Sequence, residues 1–169
     1  MSNLHRLQEE RANWRRNRPF GFWAKPKLDQ GGGANLQVWQ CGIPGPQNTP
    51  WAGGTYVLEM VFSDAYPALP PTVTFTPALF HPNIYPNGMV CLDVLTEQGW
   101  NPSYTVAHVL ASVQTLLCNP NPTSPAQVDA FHLFVNDYAQ YEQIVRQIAT
   151  RFTIDHYQDQ VDGNTMQDD

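Results

Sequence analysis

The spacing of apolar residues divides the chain into segments of different predicted structure. Near the start, Leu4, Leu7 and Trp14 recur at helical spacing, so a helix is predicted with Ser2 as its N-cap and its end at Pro19. A helix with one apolar face buries that face against the rest of its domain.

In the next part of the chain the period changes to two. The runs 36–43, 55–62 and 73–76 predict strands of a meander, and residues 44–54 form a long turn between two of them. Three consecutive glycines, 31–33, indicate a turn. A phosphate-binding loop is excluded there because no Gly-Lys-Ser/Thr follows and no helix begins.

A third segment, residues 66–102, contains seven prolines. Proline at this density excludes a regular helix and restricts strands to sheet edges. Long ordered loops of this kind usually bind a ligand or carry out chemistry. Cys91 lies in the middle of this one.

Helical spacing returns after the loop. Residues 106–117 predict a second helix, and the apolar stripe over 126–152 predicts further helix with a break near Asn136. Ser124 and Pro125 are the residue types of an N-cap and a first helical position. An initial helix, a strand meander and two or three later helices predict an α+β fold.

Length and composition indicate one domain with a short extension. The chain has 169 residues, of which 42% are hydrophobic, and its longest apolar run has four residues. We expect one domain at 1–154, of a size that suits a catalytic domain. A mobile acidic tail, which contains five aspartates, is expected at 155–169. With no membrane-span or signal-peptide pattern, we expect a soluble intracellular protein that does not contact a membrane.

The cysteines and histidines have no metal-ligand spacing. Cys41, Cys91 and Cys118 form no Cys-x-x-Cys pair, and the five histidines are scattered. We therefore expect no disulfide framework, no metal site and no other cofactor.

Charge is distributed unevenly along the chain. The first 27 residues carry seven of the nine basic residues and two acidic ones, a net charge of +5, whereas the remainder carries −11. An acidic body argues against nucleic-acid binding. Arg11, Arg15 and Arg18 fall on one face of the first helix. They predict either a solvated face or, as we favour, a docking face for an acidic protein.

The most informative segment is 80–92. It contains the triplet His-Pro-Asn at 81–83 and, eight residues beyond the asparagine, Cys91. This segment resembles the active-site segment of the ubiquitin-conjugating enzyme family. The family's flanking marks follow in the same order: Tyr66-Pro67, Pro70-Pro71, Trp100, Pro102 and the run 119–126. The resemblance implies an N-terminal helix, an antiparallel four-stranded meander, a long active-site loop and C-terminal helices.

Segments 20–22, 39–45 and 49–54, with the arginine-rich first helix, are similar to the SUMO-conjugating branch of that family. The resemblance implies that Cys91 accepts a SUMO-like modifier from an activating enzyme as a thioester. Cys91 then hands it to a lysine of a protein target, with or without a ligase, in the nucleus and cytoplasm. A thiolate suits this relay because it attacks readily and leaves readily.

The resemblance also implies roles for the neighbours of Cys91. Asn83 would aim its amide at the oxyanion of the attacked carbonyl, or it would only hold the loop through backbone hydrogen bonds. His81 is assigned to loop structure. Tyr85 and Ser124 would form two walls of an apolar slot that lowers the pKa of the attacking lysine. Ser124 stands where the branch often has aspartate, and a helix N-cap is an equal alternative.

Four residues match the family's surface for the apolar residue that precedes the target lysine: Pro125, Ala126, Gln127 and Val128. Val128 stands where the family has a smaller residue, and it would narrow the pocket for that apolar residue. Thr72 and Thr74 stand where the branch has two lysines that bind an acidic residue of the target, so we expect weak selection for that acid. Asp93, and a path to Trp100 that is one residue shorter, are closer to the ubiquitin branch.

On the first helix, Arg11, Arg15 and Arg18 match the branch's noncovalent modifier site, and Arg15 and Arg16 also fit the activating-enzyme contact. The nearest alternative is a ubiquitin-conjugating enzyme of the same fold. A noncatalytic adaptor of that fold is a third possibility, although such adaptors generally lack the cysteine. A Cys-His hydrolase ranks last, because no protease pattern surrounds Cys91 or His81.

Overall fold

The computed structural model describes residues 3–153 and contains four helices and four strands in that range. The elements are α1 (Leu4–Asn17), β1 (Trp23–Leu28), β2 (Ala34–Pro44), β3 (Thr55–Val61), β4 (Thr72–Phe75), a 3₁₀ turn (Asp93–Leu95), α2 (Val106–Cys118), α3 (Val128–Asn136) and α4 (Tyr138–Arg151). The predicted α+β architecture is confirmed. Ser2 and the expected tail at 155–169 lie outside the described residues.

The four strands form one antiparallel sheet in the order β1-β2-β3-β4. The alternating pattern identified β2, β3 and β4 but not β1, where the charged Lys25 and Lys27 flank Pro26. Proline cannot donate to a strand ladder, and Pro26 lies on the edge strand where the register shifts. The edge position explains how β1 tolerates a residue that obscures its strand pattern.

Aromatic side chains fill the space between the sheet and the helices. Trp39 and Phe62 meet edge to face at 5.8 Å, and Phe62 meets Tyr66 at 4.6 Å. From α1, Leu7 and Trp14 are buried as predicted, whereas Leu4 is half exposed. The core thus joins α1 to the sheet. Within residues 3–153, no helix combines the length and apolar character that a membrane span needs.

A buried carboxylate joins α1 to α2, and the sequence pattern did not reveal it. Glu10 accepts hydrogen bonds from the Arg6 guanidinium, from the Tyr66 hydroxyl at 3.3 Å and from the Val106 backbone N–H at 3.0 Å. Val106 is the first residue of α2, so Glu10 satisfies a free N–H at the start of a helix 96 residues away. Its position between Leu7 and Trp14 on the apolar face was the available signal.

The prediction that Ser124 caps a helix is wrong. Helix α3 begins at Val128, and residues 124–127 are not helical. This segment is held instead by contacts with the proline-rich loop at 66–102: the Ala126 N–H donates to the Pro82 carbonyl, and the Gln127 side chain donates to the carbonyls of Leu79 and Ile84. These tertiary hydrogen bonds outweigh the local preference of Ser-Pro for a helix start.

The predicted break near Asn136 is confirmed. Helix α3 ends at Asn136, and the Asp137 carboxylate caps α4 by accepting from the Gln140 N–H. The cap of α2 follows the same rule, since the Thr105 hydroxyl accepts from the His108 N–H. The break turns the apolar stripe of 126–152 into two helices that can pack against each other.

Candidate active site

Cys91 follows a small hairpin that packs against the edge strand β4. The Tyr85 N–H donates to the Met89 carbonyl, and the Val90 N–H donates to the Val73 carbonyl of β4 at 3.0 Å. Isolated bridges pair Ile84 with Val90 and Met89 with Thr74 of β4. The prolines of the long loop therefore do not leave it unstructured, because the sheet edge supplies its hydrogen-bond partners.

Gly88 makes the hairpin turn possible. Its φ is +93°, a conformation that side chains disfavour, and its N–H closes the turn on the Tyr85 carbonyl at 2.8 Å. A Cβ at this position would stand 2.3 Å from the Phe75 carbonyl oxygen. Only glycine lets the hairpin approach β4 this closely.

Asn83 is fully buried and connects Cys91 to a second loop. Its carbonyl accepts from the Cys91 N–H at 2.9 Å. Its side-chain amide donates to the carbonyls of Asn121 and Ser124, and its side-chain oxygen accepts from the Asn121 N–H at 2.7 Å. Both hydrogens of the amide are used within the protein, an arrangement that favours the loop-holding alternative.

His81 is buried beneath Asn83. Its Nδ1 accepts from the Asn83 N–H at 3.0 Å, and its Nε2 donates to the Leu116 carbonyl at 2.8 Å. Burial lowers the pKa of His81 to about 4, so the ring is neutral at pH 7. These contacts agree with the structural role expected for this histidine.

Tyr85 is the side chain beside the Cys91 thiol. The charge of a Cys91 thiolate, and hydrogen bonding to it, raise the pKa of Tyr85. The phenol thus stays protonated at neutral pH and can donate to a thiolate. By contrast, Cys41, on the inner strand β2, is fully buried, and burial raises the pKa of its thiol. Cys91 is partly exposed.

Ser124 lies in the loop that Asn83 holds. Its carbonyl accepts from the Asn83 amide at 2.8 Å, and its hydroxyl is 3.3 Å from the Asn121 amide nitrogen. The structure therefore joins Ser124 to the Cys91 segment through one asparagine. The proposed lysine slot between Tyr85 and Ser124 stays a prediction.

Beyond Ser124, the predicted target surface forms one wall of a groove of about 430 Å³. Pro125, Ala126, Gln127 and Val128 all line it. Val128 is 83% exposed, whereas the Gln127 amide is turned inward to the loop carbonyls. The apolar parts of the groove continue along α3 through Phe131 and Val135.

Comparison with known proteins identifies the family. A family model described as "Ubiquitin-conjugating enzyme" matches residues 6–149. The chain belongs to the ubiquitin-conjugating enzyme family. SUMO-conjugating enzyme SCE1 of Arabidopsis thaliana and SUMO-conjugating enzyme ubc9 of Dictyostelium discoideum are each 50% identical over 142 residues, which is 83% of this chain and 89% of theirs. SUMO-conjugating enzyme UBC9 of Caenorhabditis elegans is 43% identical over 157 residues, 92% of this chain and 95% of its own.

In this family member, positive charge is concentrated on α1 and on Arg18, the residue that follows it. Arg11 and Arg15 flank a groove of about 280 Å³ between α1 and β2. Burial and the neighbouring Arg15 charge lower the pKa of Arg11. Among the described residues, no ion pair involves Arg11, Arg15, Arg16 or Arg18. Their positive charge is therefore available to a partner.

The sequence analysis missed the continuation of the target groove. Phe131 and Val135 are three and seven residues after Val128, so all three lie on one face of α3. This spacing was a readable signal. It was overlooked because Ala130 and Phe134, on the other face, were sufficient to explain a buried helix.

Proposed function

We propose that this chain is a SUMO-conjugating enzyme that carries the modifier on Cys91. The observation that supports the proposal most directly is the partly exposed thiol at the end of a hairpin, linked by Asn83 to the loop that begins the target groove. The relatives named SUMO-conjugating enzyme, which match most of the chain, support the choice of modifier.

In the first step, the Cys91 thiolate attacks the thioester carbonyl that joins the modifier to the activating enzyme. A new bond forms between the Cys91 sulfur and the carbonyl carbon, and the activating enzyme's thiolate leaves. Tyr85, whose pKa the charge of the thiolate raises, donates to the thiolate before attack and again when it leaves. ATP is consumed upstream, at the activating enzyme.

In the second step, a target lysine attacks the same carbonyl as a neutral amine. An isopeptide bond forms, the Cys91 thiolate leaves, and the amine's proton passes to solvent. The amine must lose its proton from a reference pKa of about 10.4, and an apolar slot between Tyr85 and Ser124 favours that loss. With serine rather than a carboxylate at 124, the slot has only neutral groups at this wall.

Asn83 has two alternative roles in this step. Holding the loop uses hydrogen bonds that already exist, to Asn121 and Ser124. Stabilising the oxyanion requires one of the two amide hydrogens to leave its carbonyl partner and turn toward the substrate. We favour the first role, because it needs no rearrangement of a buried side chain.

Target selection is the property in which this protein should differ from its branch. The groove offers apolar surface from Val128 and Phe131 to the residue before the lysine. Thr74 pairs with Met89 beside the active site, and neither it nor Thr72 can bind a carboxylate as a lysine does. We propose that an acidic residue after the target lysine increases the rate of modification by less than about threefold.

The partners follow from the surfaces. Arg11, Arg15 and Arg18 would bind the modifier noncovalently, and Arg15 with Arg16 would contact the activating enzyme. Ligases would add target choice. We also propose a nuclear and cytoplasmic location, which imaging of a fluorescent fusion tests.

The modifier is tested by charging the enzyme. The full chain is mixed with ATP and either the SUMO or the ubiquitin activating enzyme with its own modifier. We expect a reductant-sensitive adduct with SUMO alone. An adduct with ubiquitin alone would establish the second candidate, a ubiquitin-conjugating enzyme, which Asp93 and the shorter path to Trp100 favour. No adduct with either modifier would favour an adaptor.

A further inference from the structure

A pocket that the proposed reaction does not use lies behind the active-site loop. It is formed by the turn at 48–51, the C-terminal end of α2 and the facing surfaces of α3 and α4, and its volume is about 220 Å³. Aromatic rings make up much of its wall: Trp51, Phe134, Tyr138 and Tyr141. Such walls favour a ligand with an aromatic or apolar body.

Tyr141 supplies the observation that points to a ligand. Its side chain is only 3% exposed, and its hydroxyl is the one buried side-chain polar atom without a hydrogen-bond partner among residues 3–153. That hydroxyl lies close to Tyr138 and Cys118, which line the same pocket. Contact with the Phe134 ring, edge to face at 5.3 Å, restrains the tyrosine in this position. Buried hydroxyl groups nearly always have a partner. This one is closed off by its neighbours, so it is suited to donate to an acceptor once a ligand in the pocket displaces the side chains that cover it.

The rest of the lining sets the charge and size of that ligand. Of the described residues that line the pocket, none is Asp, Glu, Lys, Arg or His, so an ion would lose its hydration without compensation. Burial raises the pKa of the Cys118 thiol, which therefore forms a neutral wall beside Thr49. An apolar cavity of about 150 Å³ holds benzene, so the larger pocket here accommodates one ring with a small substituent.

The pocket shares its walls with the supports of the active-site loop. The Trp51 ring lies 6.1 Å from the ring of His81, which donates to the Leu116 carbonyl one residue before the pocket-lining Leu117. On the other side, Pro120 precedes Asn121, which exchanges hydrogen bonds with Asn83. A ligand that moves these walls acts directly on the residues that hold Cys91.

We propose that this pocket binds a small uncharged aromatic molecule with one acceptor oxygen, held by the Tyr141 hydroxyl, and that occupancy shifts the active-site loop. The binding claim stands independently of the proposed function. Only the effect of occupancy on modifier transfer rests on the proposed function.

Binding is tested by titrating the full ¹⁵N-labelled chain with benzamide. We expect saturable shifts of the backbone amides of Leu117, Cys118 and Tyr141, with a Kd on the order of 1 mM for so small a molecule, and further shifts at Asn83 and Cys91. Benzoate, which is charged, should cause no saturable shift. Toluene, which has the ring without the acceptor, should bind about fivefold to tenfold more weakly.

Tyr141→Phe separates the hydrogen bond from the shape of the pocket. The variant should bind benzamide about tenfold more weakly and toluene as well as the wild type does. Its thermal midpoint should not fall, because the lost hydroxyl has no partner within the described residues. Tyr104→Phe, whose ring stacks on His108 and is not part of the pocket wall, is the matched control and should bind benzamide normally.

Two sets of results would overturn the proposal. Absence of saturable shifts up to about 10 mM benzamide, or equal affinity in wild type and Tyr141→Phe, contradicts the binding site. Shifts that stop short of Asn83 and Cys91, with an unchanged rate of modifier transfer from Cys91 to free lysine, contradict the coupling. Failure of Cys91 to charge contradicts the proposed function instead, and it leaves the titration interpretable.

Discussion

His81 and Asn83 belong to the same His-Pro-Asn triplet, and each both donates and accepts hydrogen bonds within the protein. His81 donates to Leu116 and accepts from Asn83, while Asn83 accepts from Cys91. The position of the reactive thiol therefore depends on an uncharged imidazole. Charging that ring would replace the Nδ1 acceptor by a donor that faces the Asn83 N–H.

We predict that His81 makes stability fall in acid. In the unfolded chain it binds a proton near pH 6.5, whereas burial lowers its pKa to about 4 in the folded protein. Above pH 6.5 the His81 ring is neutral in both states, so it adds no pH dependence to the free energy of unfolding. Between pH 6.5 and 4 the unfolded chain binds more protons, and the free energy of unfolding falls by about 1.4 kcal/mol per pH unit.

Urea unfolding at pH 7, 6 and 5 measures this slope. His81→Gln should have a lower free energy of unfolding at pH 7 and a smaller loss between pH 7 and 5. His132→Gln, at an exposed position of α3, should keep the wild-type slope. Equal slopes in wild type and His81→Gln would show that another group causes the acid sensitivity.

Glu10 is the second residue on which stability depends. We predict that Glu10→Gln lowers the free energy of unfolding by about 2–4 kcal/mol, because it leaves the partly buried Arg6 guanidinium without its counter-charge. The adjacent Glu9→Gln, which removes only an exposed pair with His5, should cost less than about 0.5 kcal/mol. Urea unfolding of both variants at pH 7 checks the difference, and similar losses would contradict the role of Glu10.

At the scale of elements, the active site is a hairpin added to a sheet edge, and Gly88 sets its geometry. We predict that Gly88→Ala slows thioester formation at Cys91 by at least about tenfold, because the new methyl group must displace the Phe75 carbonyl or the hairpin. Gly53→Ala is the control: its φ is +89°, but no atom of residues 3–153 lies within 4 Å of the added Cβ. It bears the conformational cost, about 1 kcal/mol, without the clash.

Rates of single-turnover charging distinguish the two glycine variants. Normal charging by Gly88→Ala, or equal slowing by Gly53→Ala, would mean that the close approach to β4 does not position Cys91. The circular dichroism spectra of both variants should match that of the wild type, because neither glycine lies inside a helix or strand.

The local sequence pattern predicted the helices and strands whose apolar residues recur at a regular period. It failed where contacts with residues distant in the chain determine the backbone conformation. The periods of two and of about 3.6 located β2, β3, β4 and α2 to within two residues at each end. The start of α3 was wrong, because the hydrogen bond of Ala126 to Pro82 and those of Gln127 replace a helix turn. No local signal could report these partners, which lie more than 40 residues away in the chain.

The candidate site shows the same division. The prediction that Cys91 carries the modifier came from a resemblance of motifs, not from spacing alone. That the Asn83 amide has both hydrogens occupied, by Asn121 and Ser124, became visible only when the two loops were placed together. Similarly, the partners of Glu10 come from three separate parts of the fold.

At the scale of the whole molecule, the first helix is basic and packs by its apolar face on a body that is acidic. We predict that Arg15→Glu combined with Arg18→Glu weakens noncovalent modifier binding by at least about tenfold in 50 mM salt and by less in 500 mM salt, because salt screens exposed charges. Arg146→Glu, a charge reversal on α4, is the control for position on the surface and should have little effect. Calorimetric titration with the modifier measures both, and unchanged binding by the double variant would contradict this docking surface.

The proposed function depends above all on the sulfur of Cys91, which would hold the activated modifier. The most direct measurement replaces it: Cys91→Ser is incubated with activating enzyme, ATP and SUMO, and the products are separated with and without reductant and base. We predict an adduct that resists reductant, is cleaved by base, and fails to pass the modifier to lysine. Conjugation at the wild-type rate by Cys91→Ser would contradict the account.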